Sequence, residues 1–237
     1  MDLADAMRTA ATVRRYRPDP VPDGVLYRAL DSARFAPSGG NRQGWHVIVV
    51  RDPNLKRRLQ DLYLRTWRPL YETQLAAGRQ APDAAGRRRP GTVEGNHYAE
   101  HLHELPVHLV VLVDRAALTT PFPRLNECYA AGSCIYPFVQ NLVLALRAEG
   151  LGAALTMLHH NEEADLAALL DVPEGFGFAA HLGVGWPAGP HPTRLRRRPV
   201  EEFTSRERFG AGPLTPAASP AASARRSRPA RSSGTRG

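Results

Sequence analysis

A short run near the N-terminus combines a hydroxyl side chain with two guanidinium groups. Thr12, Arg14 and Arg15 lie within a few residues of one another, just before Tyr16 and a proline-rich stretch. Such a cluster can hold a phosphate and place positive charge beside a group that becomes anionic. The same run is equally compatible with a solvated basic turn. Taken alone, it leaves both interpretations open.

A second candidate is the loop over residues 37–43, which reads PSGGNRQ. Its small residues permit a close approach of backbone to a ligand, and its amide side chains can pair with the edge of a heterocycle. The loop is explained equally well as an ordinary turn between a helix and a strand. It therefore becomes informative only together with other motifs.

Several histidines raise the question of a metal site. His97 and His101 are four residues apart, a spacing that places two side chains on one face of a helix. The stretch from His103 to His108 has one residue too many for the HExxH motif, and Pro106 would break the helix that this motif needs. We interpret these histidines as surface or lid residues and expect no metal.

The sequence lacks the motifs of three further classes of protein. The run Gly150-Leu151-Gly152 follows a predicted helix and precedes a predicted strand, which is the reverse of the dinucleotide-binding order. The chain contains no G-x-S-x-G hydrolase elbow and no P-loop ending in Gly-Lys-Ser/Thr. The sequence argues against a Rossmann site, a serine hydrolase and a nucleoside triphosphatase.

Hydrophobic patterning predicts the elements that position these residues. Helices are predicted over residues 3–11, 22–35, 53–67 and 161–170, and strands over residues 45–50, 106–114, 151–158 and 178–186. A long apolar helix is predicted over residues 126–149, with Pro137 near its start, and should be interior or at a subunit interface. Residues 71–105 are predicted to be a mobile, lid-like excursion. The order indicates a mixed α and β fold.

Composition restricts the function further. With 237 residues, of which 43% are apolar, the chain predicts one domain over residues 1–210 and a disordered Arg/Ala/Ser/Pro tail over residues 211–237. Five of the net +8 charges lie in that tail, which has no folded motif and few aromatics, so we expect no nucleic-acid partner. Cys128 and Cys134 are too few for a disulfide framework, and no signal peptide or membrane-length apolar run is present. A soluble, cytoplasmic protein without a membrane partner is expected.

The order of the motifs resembles that of one known family. The basic junction, the RPDPVP linker, the APSGGNRQGWHVIVVRDP stretch, a long helix, the GLGAALT strand and an Arg-Pro arm are similar to the FMN-dependent nitroreductase family over about residues 6–209. The resemblance implies an α+β fold: a three-layer α-β-α sandwich with a mixed, mainly antiparallel central sheet. It also implies an intertwined homodimer in which each FMN lies between two subunits.

The resemblance assigns cofactor-binding residues on the flavin's own subunit. Thr12 and Arg14, with Arg15 beside them, match positions at the ribityl-phosphate side and the pyrimidine edge of the flavin. Met157 and Leu158 match a strand end whose backbone faces N5 and O4. A guanidinium near N1 raises the electron affinity of the flavin, and a backbone N–H at N5 orients the atom that accepts hydride.

Two further segments complete the implied site. The loop that reaches the flavin from the partner subunit is matched by Pro37, Ser38, Gly39 and Asn41. The phosphate contact of the arm is matched by Arg197, with Arg194 as a second candidate for the same contact. The implied reaction takes hydride from NAD(P)H and delivers it to a small aromatic or electrophilic acceptor, such as a nitroaromatic or a quinone. The sequence selects no catalytic side chain.

One position departs from the family pattern. Members commonly carry an arginine just before the Ser/Thr of the first motif, where this chain has Ala10-Ala11. Loss of that contact would weaken FMN binding by about 1.5–3 kcal/mol unless Arg15 or the arm compensates. A second hypothesis therefore stays open: a nitroreductase-fold protein with altered flavin binding, acting on flavin or a deazaflavin or serving as a non-catalytic binding module. A third, less favoured, is a binder of anionic surfaces through the arginine tail.

Overall fold

The computed structural model describes residues 1–76, 91–118 and 129–216. The chain divides into two units, Met1–Leu195 and Arg196–Gly237. In the described part of the second unit, one 3-10 turn forms at Val200–Glu202 and the Leu214 amide donates a hydrogen bond to the Thr204 hydroxyl. The predicted tail lies mostly outside the described residues, and the predicted domain boundary at residue 210 stays a prediction.

A four-stranded sheet forms the centre of the first unit. Its strands are β1 (Trp45–Val50), β2 (Val107–Asp114), β3 (Gly152–Thr156) and β4 (Phe176–Gly185), in the order β1-β2-β4-β3. All three pairings between these strands are antiparallel. A single parallel bridge joins Thr12 to Ala153 at the edge of β3. The sheet is therefore mainly antiparallel, as the resemblance implied.

Helices cover both faces of this sheet. They are α1 (Leu3–Thr9), α2 (Asp23–Ala33), α3 (Pro53–Ala76), α4 (Gly91–Glu100), α5 (Arg115–Leu118), α6 (Tyr136–Ala148) and α7 (Glu163–Leu169). In β2, Leu109 and Val111 pack in the core with α2 and α6, while Val110 and Leu112 pack in the core with α3 and α7. This alternation is the period of two that a strand imposes on its side chains. The predicted three-layer α-β-α sandwich is confirmed.

The long apolar helix is shorter than predicted. α6 begins at Tyr136, ten residues after the predicted start, and a 3-10 helix at Tyr129–Cys134 precedes it. The cause is Pro137, which lacks an N–H and fits the first turn of a helix better than its interior. The apolar side chains of α6 enter the core of this chain, Phe138 and Leu142 among them. These side chains lie in the interior of the chain, and the predicted contact of this helix with a second subunit stays a prediction.

The mobile excursion was predicted over residues 71–105, but the described parts of this segment are mainly helical. Residues 71–76 continue α3 beyond Trp67, and residues 91–100 form α4. Tyr98, Ala99 and Leu102 are buried in a third apolar cluster with the end of α3. Residues 77–90 of the predicted lid lie outside the described residues.

One turn makes the end of β3 and the start of the next helix differ from their predicted positions. β3 ends at Thr156, and a 3-10 turn at Leu158–Glu162 takes the place of the predicted strand end and of the predicted helix start at Asn161. α7 consequently begins at Glu163. Met157 and Leu158 therefore lie at the junction of strand and turn.

Candidate active site

The basic junction runs beside the edge strand β3. The Val13 amide donates to the Ala153 carbonyl at 3.0 Å, next to the bridge between Thr12 and Ala153. This approach requires glycine at position 152, because a Cβ there would lie 2.6 Å from Val13. Farther along, the Tyr16 hydroxyl lies 2.8 Å from the Gly183 carbonyl of β4. The junction is thus fixed to the sheet by both backbone and side-chain contacts.

A cavity of about 470 Å³ opens between this junction, α3, α4 and the end of β3. Four of the residues that line this cavity were predicted from the sequence as site residues: Thr12, Arg14, Met157 and Leu158. The structure therefore brings together four of the predicted site residues from two distant parts of the chain. The remaining walls come from α3, α4 and β3, with Tyr63, Trp67, Leu70, Gln74, Gly95, Tyr98 and residues 154–156.

The aromatic wall was not predicted as part of a site. Tyr63, Trp67 and Tyr71 follow one another at intervals of four residues on α3, and the rings of each neighbouring pair stack about 6 Å apart at 20°. The Trp67 Nε1 donates to the Asn96 side-chain oxygen at 2.9 Å. Gly95 makes room for the indole, since a Cβ at this position would lie 2.8 Å from it. The spacing of four was the only available signal, and core stripes share it.

Two tyrosines that line this cavity are buried. Burial raises the pKa of Tyr63, and the nearby Thr156 hydroxyl and Arg14 charge partly oppose that effect. Burial also raises the pKa of Tyr98, and contact of its hydroxyl with the Gly183 backbone partly opposes that effect. Both phenols are therefore neutral donors at physiological pH.

Arg14 and Arg15 have different surroundings. Arg14 is half-buried at the cavity wall, and no ion pair engages it among the residues that the structure describes. Arg15 instead donates two hydrogen bonds to the Glu94 carboxylate, at 2.9 and 3.3 Å. Both arginines line a smaller cleft of about 210 Å³ that contains His97 and His101. Arg14 is thus the guanidinium available to an anionic ligand, and Arg15 is already engaged.

The loop over residues 37–43 lies apart from the cavity walls of its own chain. The Gly39 amide donates to the Cys134 Sγ at 3.3 Å, and the Gln43 amide donates to the Ser38 hydroxyl at 3.0 Å. Gly40 and Asn41 have positive φ angles of 62° and 53°. The predicted contacts Pro37, Ser38, Gly39 and Asn41 are exposed or half-buried here, and none lines the cavity.

Arg194 and Arg197, the two candidates for the phosphate contact, belong to different units of the chain. The Leu195 amide donates to the Arg8 carbonyl at 2.7 Å, which brings the neighbouring Arg194 to the end of α1, just before the basic junction. Arg194 is exposed. Arg197 belongs to the second unit, where its side chain bonds to the Arg196 carbonyl at 2.9 Å.

The described residues contain neither a metal-binding group nor a membrane-length apolar helix. Over residues 1–76, 91–118 and 129–216, no group of three His, Cys, Asp or Glu side chains is arranged to hold a metal ion. His97 and His101 stack on each other, with ring centroids 4.1 Å apart. Within the same ranges, every helix is too short or too polar to cross a bilayer.

The fold and the cavity define a three-layer α+β protein with a basic, aromatic-walled cavity beside an edge strand. Residues 7–186 match the nitroreductase family, and the chain belongs to that family. A protein of Thermus thermophilus named NADH dehydrogenase is 30% identical over 216 residues, which cover 79% of this chain and 88% of that protein. A 5,6-dimethylbenzimidazole synthase of Rhodospirillum rubrum is 30% identical over 192 residues, covering 76% and 79%.

A solved structure shows the same fold. An iodotyrosine deiodinase crystallised with FMN and 3-iodo-L-tyrosine superposes with a TM-score of 0.65 at 24% identity, covering 86% of this chain and all of the other. The two relatives and this structure carry the names of three different activities. Family membership therefore leaves the acceptor to be argued from the site.

Proposed function

We propose that this chain is an FMN-dependent oxidoreductase that uses NAD(P)H to reduce a small organic acceptor. The observation that carries the proposal is the Arg14 guanidinium, which is half-buried beside an aromatic-walled cavity without an ion-pair partner in the described residues. Taking a cation partly out of water is costly unless a negative group accompanies it. A ligand that is anionic or becomes so on reduction would supply that group.

The residues present fit the ring end of FMN. Thr12 and Arg14 alternate along an extended junction, so that both side chains reach the same cavity. Tyr63 and Trp67 offer apolar surface for a planar ring, and the Thr12 hydroxyl offers a hydrogen bond to the ribityl chain. Bound FMN would supply reversible two-electron chemistry, with N5 accepting hydride from NAD(P)H and the reduced ring then donating it to the acceptor.

The side chains then have electrostatic and steric roles. Arg14 stabilises negative charge on the ligand, and the aromatic wall on α3 excludes water, which strengthens that interaction. The Tyr63 hydroxyl is a neutral donor with a raised pKa that could hydrogen-bond to a polar acceptor group. No covalent nucleophile is required. Small aromatic or electrophilic acceptors, such as nitroaromatics and quinones, suit such a cavity.

We also propose that the active unit is a cytoplasmic homodimer. The support is the loop over residues 37–43, which the resemblance assigns to a flavin site but which lies apart from the cavity of its own chain. A second copy of the chain could bring this loop to the cavity. Positive φ angles at Gly40 and Asn41 give the loop a defined shape with exposed polar groups.

The test is an absorbance spectrum of the purified protein, recorded before and after anaerobic addition of NADH or NADPH. We expect flavin bands near one FMN per chain, either as isolated or after incubation with FMN, and bleaching of the bands by the nicotinamide. A colourless protein that takes up no added FMN would overturn the proposal.

A second candidate is a nitroreductase-fold protein with weakened or altered flavin binding. The observation in its favour is that Arg15, which could otherwise replace the arginine absent at Ala10-Ala11, is bound to Glu94. Such a protein would act on flavin or a deazaflavin, or bind it without turnover. Bound flavin that neither NADH nor NADPH bleaches would select this candidate.

A further inference from the structure

Three histidines are buried together between the sheet and α3. His108 on β2 and His181 on β4 are fully buried, and His159 in the turn after β3 is 1% exposed. The interpretation of His108 as a surface or lid residue was therefore wrong, because the residue belongs to a central strand. The His108 Nδ1 lies 2.9 Å from the His181 Nε2, and the rings of His159 and His181 meet edge to face at 4.8 Å. The three imidazoles lie between the apolar clusters that α3 forms with α7 and with α4.

His159 connects two walls of the candidate active site. It directly follows Met157 and Leu158, which line the cavity at the end of β3. Its Nε2 lies 3.0 Å from the Leu59 carbonyl on α3, and because a carbonyl can only accept, the Nε2 carries the proton. Leu59 lies one helical turn before Tyr63, whose ring is 5.5 Å from the His159 ring. One hydrogen bond thus joins the β3 turn to the aromatic wall.

The cluster is not the arrangement that stability alone would favour. The Nδ1 atoms of His159 and His181 and the Nε2 of His108 have no hydrogen-bond partner within the described part of the chain. A buried polar atom without a partner is unfavourable, and apolar side chains of similar size would fill this core without that cost. Of the three, only His159 has a bond that reaches an element of the cavity wall.

We propose that His159 is a positioning residue for the flavin site, holding the Met157–Leu158 segment at a fixed distance from the Tyr63 and Trp67 wall through its bond to Leu59. This inference rests on the proposed function, since it concerns the same cavity. Flavin binding then depends on the hydrogen bond between His159 and Leu59 and not only on a filled core.

The experiment compares His159→Leu, His159→Gln and His159→Asn with two controls. The amide nitrogen of Gln lies at about the distance of Nε2 from the backbone, whereas that of Asn is too short to reach Leu59. His160→Gln is the matched surface control, because His160 follows in the same turn with a 64% exposed side chain. His108→Leu is the core control, since it disturbs the cluster at a point away from the cavity.

Three quantities are measured for each protein: the FMN dissociation constant by flavin fluorescence, the reduction potential of the bound flavin, and the melting temperature. We expect His159→Leu and His159→Asn to weaken FMN binding on the order of tenfold and to shift the potential. His159→Gln should stay within about threefold of the parent protein. His160→Gln should change nothing, and His108→Leu, which leaves the His181 Nε2 without its partner, should lower the melting temperature alone.

Equal FMN affinity in His159→Gln and His159→Asn would overturn the inference. It would also be overturned if His159→Leu and His108→Leu lowered the melting temperature with the potential and the dissociation constant unchanged. If His159→Leu fails to fold, the comparison of Gln with Asn decides alone. Failure of the parent protein to bind FMN would instead overturn the proposed function, and this inference with it.

Discussion

The guanidinium of Arg15 and the carboxylate of Glu94 form a two-point ion pair that joins the basic junction to α4. The hydrogen bond with Arg15 lowers the pKa of Glu94, so the carboxylate stays ionised at neutral pH. Arg15 therefore stabilises the position of α4 and is not available to a phosphate. If the chain binds FMN as proposed, we expect the phosphate contact to come from other groups, such as Arg194 beside the end of α1.

Replacing Arg14 should impair flavin binding much more than replacing Arg15. Arg14→Gln removes a charge-assisted contact worth about 1.5–3 kcal/mol, which corresponds to a loss of FMN affinity of about tenfold to a hundredfold. Arg15→Gln is the matched control and should change the affinity by less than about threefold, because Glu94 occupies that side chain. Fluorescence titration with FMN measures both. Equal losses in the two variants would contradict the assignment of Arg14 as the ligand-facing guanidinium.

Restoring the missing arginine should strengthen FMN binding. Ala11→Arg places a guanidinium immediately before Thr12, and a contact with phosphate would raise FMN affinity by about tenfold. Riboflavin, which has no phosphate, provides the control ligand and should bind the variant and the parent protein alike. An equal gain for both ligands would show that the new side chain acts on the ring and not on the phosphate.

Gly95 should be intolerant of any side chain. In Gly95→Ala the new Cβ would lie 2.8 Å from the Trp67 ring, so the indole must move and the protein should lose about 1–3 kcal/mol of unfolding free energy. Gly189→Ala, where no atom lies within 4 Å of the new Cβ, is the matched control and should change little. Urea denaturation measures the difference. Equal midpoints for the two variants would refute the close packing of α4 on Trp67.

The buried histidines should make the fold sensitive to acid. Burial lowers the pKa of His108 from 6.5 to about 3, and it lowers those of His159 and His181 as well. Below pH 6.5 the unfolded chain therefore binds more protons than the folded one. The contribution of these neutral histidines to the free energy of unfolding is fully present above that pH. It falls as the pH drops toward 3, by up to about 1.4 kcal/mol per pH unit for each histidine.

Urea denaturation at pH 7 and pH 5 tests this dependence. Stability should be clearly lower at pH 5, and His108→Gln should reduce the slope between the two values. Equal stability of the parent protein at both pH values would mean that the histidines are protonated or hydrated in the native state.

Mixed subunits provide a test of the shared site. Asn41→Gly removes the loop side chain while glycine accepts the positive φ of 53° at that position. In a hybrid of Arg14→Gln with Asn41→Gly, one of the two sites has both defects and the other has none. Random pairing of co-expressed subunits should restore normal FMN affinity in about a quarter of the sites. No recovery, together with sedimentation as a monomer, would refute the shared site.

The strands and four residues of the cavity wall could be predicted from the sequence because local patterns and motif order determine them. The β-branched run over residues 45–50 forms β1 as predicted, and the motif resemblance placed Thr12 and Met157 at one site before any contact was known. These features depend on neighbours in sequence or on motif order. Both are visible in a single chain.

The remaining features depend on distant contacts. The pair Arg15 and Glu94 is separated by 79 positions, and no local rule links them. Tyr63 and Trp67 have the spacing of an ordinary core stripe, so only the packing of α3 against α4 shows that this face lines a cavity. The start of α6 was misplaced for a different reason: Pro137 fits either inside an apolar run or at a helix start, and its backbone favours the latter.

Trp67 is one of three tryptophans in the chain, and its indole forms part of the cavity wall. A yellow ligand entering that cavity would accept excitation energy from this side chain at short range. The protein thus carries its own optical reporter, and loss of ultraviolet emission would register occupancy without any added dye.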